Sequence, residues 1–218
     1  MRMRKKKHEK ERLQAASELL LSLPEAPVLD AKTHFGREAE LRLEIGCGKG
    51  GFIRETAKRN PNICFYAMER VSNVMVTAVE NALAEKEERP TDNLRFLIAN
   101  AETLNEWFCP ASLSVIYLNF SDPWPKKGHA KRRLTHRAFL ERYFSLLKDG
   151  GEIRFKTDNV GLFDFTLEEI EALGLTPKVL TRDLHNSPYN EGNVMTEYER
   201  NFSSQGYPIH MLILEKPQ

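Results

Sequence analysis

The chain has 218 residues, 41% of them hydrophobic and 29% charged, which suits one sizeable α/β domain with a full core. A net charge of only +1 excludes global attraction to a polyanion, so any such binding must come from local patches. The three cysteines (Cys47, Cys64, Cys109) show no metal-ligand spacing and no paired framework, and no apolar run approaches a membrane span, so a reduced, cytoplasmic protein is expected.

Residues 1–10 carry Arg2, Arg4, Lys5, Lys6, Lys7 and Lys10, which reads as a mobile basic arm or a helix start. Leu13, Leu19, Leu20 and Leu21 give residues 11–22 a helical spacing that ends near Pro24. Then strands and helices alternate. Leu41–Ile45 is a strand, followed by a glycine loop and a helix to Arg59. Ile63–Met68 is a second strand, and Ser72 caps a helix through Glu85. Leu94–Ala99 is a third strand. Val115–Phe120 is a fourth, almost wholly apolar, as a strand buried on both faces should be. A helix over Ala138–Leu147 is closed by Asp149-Gly150-Gly151, and Glu152–Lys156 is a fifth strand. Leu162–Leu173 is a helix ending at Gly174. Thr176–Thr181 and Ile209–Glu215 are strands separated by a long polar loop. The alternation predicts a parallel sheet, with the last strand antiparallel because no crossover helix precedes it. No linker divides the chain, so a single domain over residues 1–218 is expected, with 1–10 as its arm.

The loop Leu43-Glu44-Ile45-Gly46-Cys47-Gly48-Lys49-Gly50-Gly51 follows the first strand and opens the first helix. Gly46 and Gly48 permit a tight turn and close approach of a ligand to the backbone, and the helix start offers unpaired N–H groups. Gly46, Gly48 and Gly51 also satisfy the dinucleotide fingerprint. A pyrophosphate, however, would lie close to Glu44. That acid suits the ammonium and sulfonium of S-adenosylmethionine better. Glu69, ending the second strand, is placed to accept from ribose hydroxyls, and Asn100, ending the third, to pair with an adenine edge. Cys47 reads as a packing residue.

Phe120-Ser121-Asp122-Pro123-Trp124-Pro125-Lys126-Lys127 leaves the fourth strand. A proline on each side of Trp124 stiffens this exit and can hold Asp122 and the indole beside a flat substrate. Lys126, Lys127, Lys131, Arg132, Arg133 and Arg137 then fall within twelve acid-free residues, a candidate phosphate-binding run. Asp158, in Lys156-Thr157-Asp158, ends the fifth strand at the same sheet edge as Asp122. Thr196-Glu197-Tyr198-Glu199 follows the polar loop, where Glu199 taken alone reads as a helix-surface acid.

Together these residues resemble the tRNA (guanine-N7)-methyltransferase family of class I, S-adenosylmethionine-dependent enzymes. Phe-Ser-Asp-Pro-Trp-Pro-Lys with the Lys-Arg-Arg that follows is the most specific part, and the Leu-Glu-Ile-Gly loop supports it. The resemblance covers nearly the whole chain. It implies a Rossmann-like α/β fold: a seven-stranded, mostly parallel sheet with an antiparallel last strand and helices on both faces. It also implies a tRNA partner, methylated on a guanosine of the variable loop. By the resemblance Glu44, Glu69, Asn100 and Asp122 contact the cofactor or its pocket, with Asp122 catalytic; Gly46 and Gly48 join them as the turn the cofactor approaches. The resemblance also makes Lys126, Asp158 and the segment from Thr196 through Glu199 substrate-binding, and the basic run adds Lys131, Arg132 and Arg133 as phosphate contacts. Two positions depart from the family pattern: Asn100, where many members have Asp, and Ser121, where others often have Pro. An NAD(P)-dependent oxidoreductase, a non-catalytic RNA-binding protein on a methyltransferase fold, and a methyltransferase for proteins or small molecules stay open as alternatives. So do monomer and homodimer. No metal is expected.

Overall fold

The computed structural model describes residues 6–88 and 92–217. Arg2, Arg4 and Lys5 of the expected arm lie outside the described residues. The chain divides into two compact units, with the boundary between Cys109 and Pro110.

The first unit contains α1 (Glu9–Ala15), β1 (Leu20–Leu21), α2 (Lys32–Phe35), β2 (Glu40–Ile45), α3 (Gly51–Arg59), β3 (Ile63–Glu69), α4 (Ser72–Glu88), β4 (Leu94–Ile98) and α5 (Leu104–Trp107). Its strands lie in the order β1-β4-β3-β2, and every pair is parallel. Cys64 through Met68 of β3 are at most 1% exposed, the burial that a central strand with covered faces requires. Because the pairs are parallel and nearly in step, the turns after β2, β3 and β4 open at one edge of the sheet.

The helical spacing read over residues 11–22 ends early: α1 stops at Ala15, and Leu20–Leu21 is a strand. Phe96 donates its backbone N–H to Leu19 at 2.8 Å, and Leu20 and Leu21 pair with Phe96 and Leu97. Consecutive leucines fit either periodicity, and the open edge of β4 decides between them. Lys6 and α1 are both tied to α4. The Lys6 N–H donates to Asn73 Oδ1 at 2.7 Å, its ammonium bonds to Thr77, and Arg12 holds Glu80 with two bonds of 2.6 and 2.7 Å.

The second unit contains β5 (Leu113–Asn119), α6 (Arg137–Leu146), β6 (Leu147–Thr157), α7 (Val160–Ala172), β7 (Val179–Thr181), α8 (Glu197–Ser203) and β8 (His210–Glu215). The order is β5-β6-β8-β7. β5 and β6 are parallel, and β8 runs antiparallel to both its neighbours, as the missing crossover implied. The described residues thus hold eight strands, one more than expected, the extra one being the two-residue β1.

Asp149-Gly150-Gly151 does not close α6 as a free turn but lies within β6. Leu113 sits opposite Leu147, yet Val115 sits opposite Glu152, so β6 carries a large bulge there. Gly150 supplies the left-handed φ of 72°. The polar loop before β8 also contains more order than expected, namely α8 and a short 3₁₀ turn at Pro188–Asn190.

Candidate active site

In the first unit, β2 ends where the chain must turn at once into α3. Gly46 and Gly48 take φ of 78° and 57°, a region costly for any side chain. Gly46 and Cys47 both donate their N–H groups to Met68 O, at 2.8 and 2.9 Å, which pins the turn to the end of β3. A Cβ on Gly46 or Gly48 would meet nothing within 4 Å, so these glycines leave open space above the turn. Gly50, also left-handed, packs instead: a Cβ there would touch Ala78 and Phe96 at 3.4 Å.

Two acids line this turn. Glu44 is 2% exposed, and Glu69 accepts from the Gly48 N–H at 3.3 Å and from the Val71 N–H at 2.9 Å. Their field is felt at Cys47, whose thiol is pushed well above its usual pKa by burial and then by Glu44 and Glu69. The turn is therefore a negative site, matched to a cationic ligand and opposed to a pyrophosphate. It fits the charge of S-adenosylmethionine in both its space and its sign. Asn100 stands exposed at the end of β4 and caps the following 3₁₀ turn, accepting from the Glu102 N–H at 3.4 Å.

In the second unit, Asn119 of β5 pairs with Lys156 of β6, so the segments carrying Asp122 and Asp158 leave adjacent parallel strands at the same end. The exit from β5 is strained. Phe120 has a φ of 51° and Trp124 a φ of 41°, both left-handed. Trp124 also precedes a proline, which restricts it further. Arg133 holds this shape by donating to Pro123 O at 3.0 Å and to Trp124 O at 3.0 and 3.4 Å, while its guanidinium lies 4.2 Å over the Phe165 ring. Arg132 covers the Trp124 ring at 5.1 Å, and His129 meets it edge-on at 5.6 Å. Asp122 is exposed on this braced loop, and Asp158 is half-buried.

The basic run divides by use. Lys126, Lys127, Lys131 and Arg132 are exposed. Arg133 braces the Trp124 loop. Arg137 is committed to Glu169, which takes its backbone N–H at 2.6 Å and two guanidinium bonds at 3.0 and 2.9 Å. Arg133, expected to hold phosphate, spends its Nε and Nη2 groups on the backbone carbonyls of Pro123 and Trp124.

Glu199 differs most from expectation. It is fully buried rather than a surface acid. Lys156 Nζ donates to it at 2.6 Å, Asn193 Nδ2 at 2.8 Å and the Thr196 N–H at 3.3 Å, with His185 Nε2 at 2.9 Å. Thr196 returns a bond by accepting from the Glu199 N–H at 2.8 Å, which makes a capping box for α8. Burial alone would raise the Glu199 pKa, but Lys156, then His185 and Asn193, hold it below the usual carboxylate range. The Thr-x-x-Glu spacing was a readable sign of the cap; the buried lysine was not. Tyr198 lies within the Thr196–Glu199 segment expected to bind substrate. It stacks on Phe202 at 4.2 Å, meets Phe120 at 5.0 Å, and donates its hydroxyl to Asp158 Oδ2 at 3.4 Å.

A family model described as "Putative methyltransferase" matches residues 38–212. A curated tRNA (guanine-N(7)-)-methyltransferase of Lachnoclostridium phytofermentans is 49% identical over 179 residues, 82% of each chain. The chain belongs to the tRNA (guanine-N7)-methyltransferase family. Solved structures agree on the class I methyltransferase fold. The 16S rRNA methyltransferase KamB superposes with a TM-score of 0.64 at 14% identity, over 87% of this chain and 95% of that one. Phosphoethanolamine N-methyltransferase 2 of Haemonchus contortus, in complex with S-adenosyl-L-methionine, gives a TM-score of 0.52 at 13% identity, over 96% and 53%. For this tRNA (guanine-N7)-methyltransferase family member, no group of three or more His, Cys, Asp or Glu among the described residues could hold a metal ion. No described helix is long and apolar enough to cross a membrane.

Proposed function

We propose that this chain transfers a methyl group from S-adenosylmethionine to N7 of a guanosine in the variable loop of tRNA. The observation that carries the reading is the 49% identity, over most of the chain, to a curated enzyme of that name. The single family model running from residue 38 to 212 supports treating both units as parts of one methyltransferase domain. The acidic glycine turn supports the cofactor and disfavours the dinucleotide reading, since the buried Glu44 would repel a pyrophosphate.

S-adenosylmethionine, when bound, supplies an electrophilic methyl on a sulfonium. The residues proposed to hold it are Glu44, Gly46, Gly48, Glu69 and Asn100, and the family resemblance adds Asp122 as the catalytic carboxylate. Guanine N7 already carries an in-plane lone pair, so no residue need remove a proton before attack. The work left to the protein is alignment and exclusion of water. Asp122 and Asp158 can accept from N1–H and N2–H₂ of guanine, and a carboxylate near the ring stabilises the positive charge that develops on it. Lys126, Lys131 and Arg132 hold the RNA backbone. Three free cysteines, two of them buried, suit a reduced cytoplasm.

The test incubates the protein with an unmodified tRNA transcript and labelled cofactor, then maps the modified nucleotide. Label at N7 of a variable-loop guanosine is expected, and Asp122→Ala should lose turnover while melting like the parent. Label at another ring nitrogen, or near-normal turnover by the variant, overturns the reading.

A further inference from the structure

We propose that Glu199 is a positioning residue, an internal anchor that fixes the guanine-reading acids of the second unit, and not itself a contact to the base. The inference rests on the role proposed above for Asp122 and Asp158.

Its geometry leaves little room for a ligand. Glu199 is 0% exposed, and four groups already approach its two oxygens within 3.3 Å. A carboxylate accepts about four bonds, so its capacity is filled. Lys156 is equally enclosed, at 5% exposure. It bonds to Asn193 Oδ1 at 3.1 Å and to Val194 O at 3.0 Å as well as to Glu199. The pair thus clamps the segment from His185 to Thr196 onto the end of β6, two residues before Asp158. It also fixes the first turn of α8, and that turn carries Tyr198. Through Tyr198 the clamp reaches both acids. The tyrosine hydroxyl meets Asp158, and its ring backs Phe120, the strained residue two positions before Asp122.

A double-mutant cycle separates an anchor from a base contact. Glu199→Gln leaves Lys156 as a buried, uncompensated cation, and Lys156→Met leaves Glu199 as an uncompensated anion. If Glu199 is an anchor, each single change raises KM for tRNA by at least about tenfold, and the double variant Lys156→Met/Glu199→Gln recovers most of that loss. If Glu199 touches guanine, Lys156→Met alone is mild and the double variant stays as poor as Glu199→Gln. A second readout needs no substrate. Amide hydrogen exchange in residues 185–196 should quicken by about tenfold or more in Glu199→Gln, with neither tRNA nor cofactor present. Unchanged exchange, or no recovery in the double variant, overturns the proposal. A parent protein that methylates no tRNA guanine would instead sink the proposed function, and the exchange result would still decide the anchor.

Discussion

Replacing Arg133 by Gln separates two uses of a cation within one basic run. Its guanidinium makes two bonds of 3.0 Å to the carbonyls of Pro123 and Trp124 and lies 4.2 Å over Phe165. A charged donor contributes about 1.5–3 kcal/mol per bond when buried, and a cation over an exposed ring about 0.5–1 kcal/mol. Arg133 is only half-buried and Gln keeps a short donor, so the loss should be about 2 kcal/mol, or a melting temperature about 4–8 °C lower. Lys131 and Arg132 are exposed. Neutralising Lys131 should leave melting nearly unchanged, and neutralising Arg132 should cost at most the ~0.5–1 kcal/mol of its contact with the Trp124 ring. Either change should reduce the slope of log K against log salt for tRNA binding by about 0.7–0.9, one phosphate contact's share. The assays are thermal melting and filter binding over a salt series. A flattened slope with unchanged melting in Arg133→Gln would refute the reasoning and return Arg133 to the phosphate surface.

Glu44→Gln removes a buried negative charge from the glycine turn, so titration calorimetry should show weaker binding of S-adenosylhomocysteine, while NADH binds neither protein. Tight NADH binding to the parent would contradict the electrostatic argument. Burial alone would raise the Glu169 pKa, yet the bonds from Arg137 and the nearby His136 hold it below the usual range. A depressed carboxylate adds stability above its unfolded pKa, about 4.3, and loses it as the pH falls through the folded value. Urea unfolding should therefore find Glu169→Gln less stable than the parent at pH 7, with the gap narrowing by pH 3. A gap independent of pH would show that the charge of Glu169 contributes nothing.

The alternation of strands and helices was legible because each element announces itself within a few residues. The apolar run of β5, the glycines after β2 and the reversed β8 all follow from local composition or connection length. The donor turn and the Asp122 loop were legible for the same reason, since Pro123, Pro125, Gly46 and Gly48 constrain the backbone where they stand. What escaped was set by distant partners. Leu20–Leu21 became a strand because β4 had an open edge more than seventy residues on. Arg137 found Glu169 thirty-two residues away, and Glu199 found Lys156 forty-three residues back. A lone charged letter does not tell a phosphate ligand from a brace for a carbonyl, nor a surface acid from a buried one.

β8 lies between β6 and β7, although the chain makes it after both. While the ribosome is still adding residues 210–215, β6 has β5 on one side and a bare row of N–H and C=O groups on the other. β7 has nothing to pair with at all. An exposed strand edge of this kind invites association with other nascent chains. Premature termination within this short stretch would leave a protein with every proposed catalytic side chain in its sequence and its sheet still open.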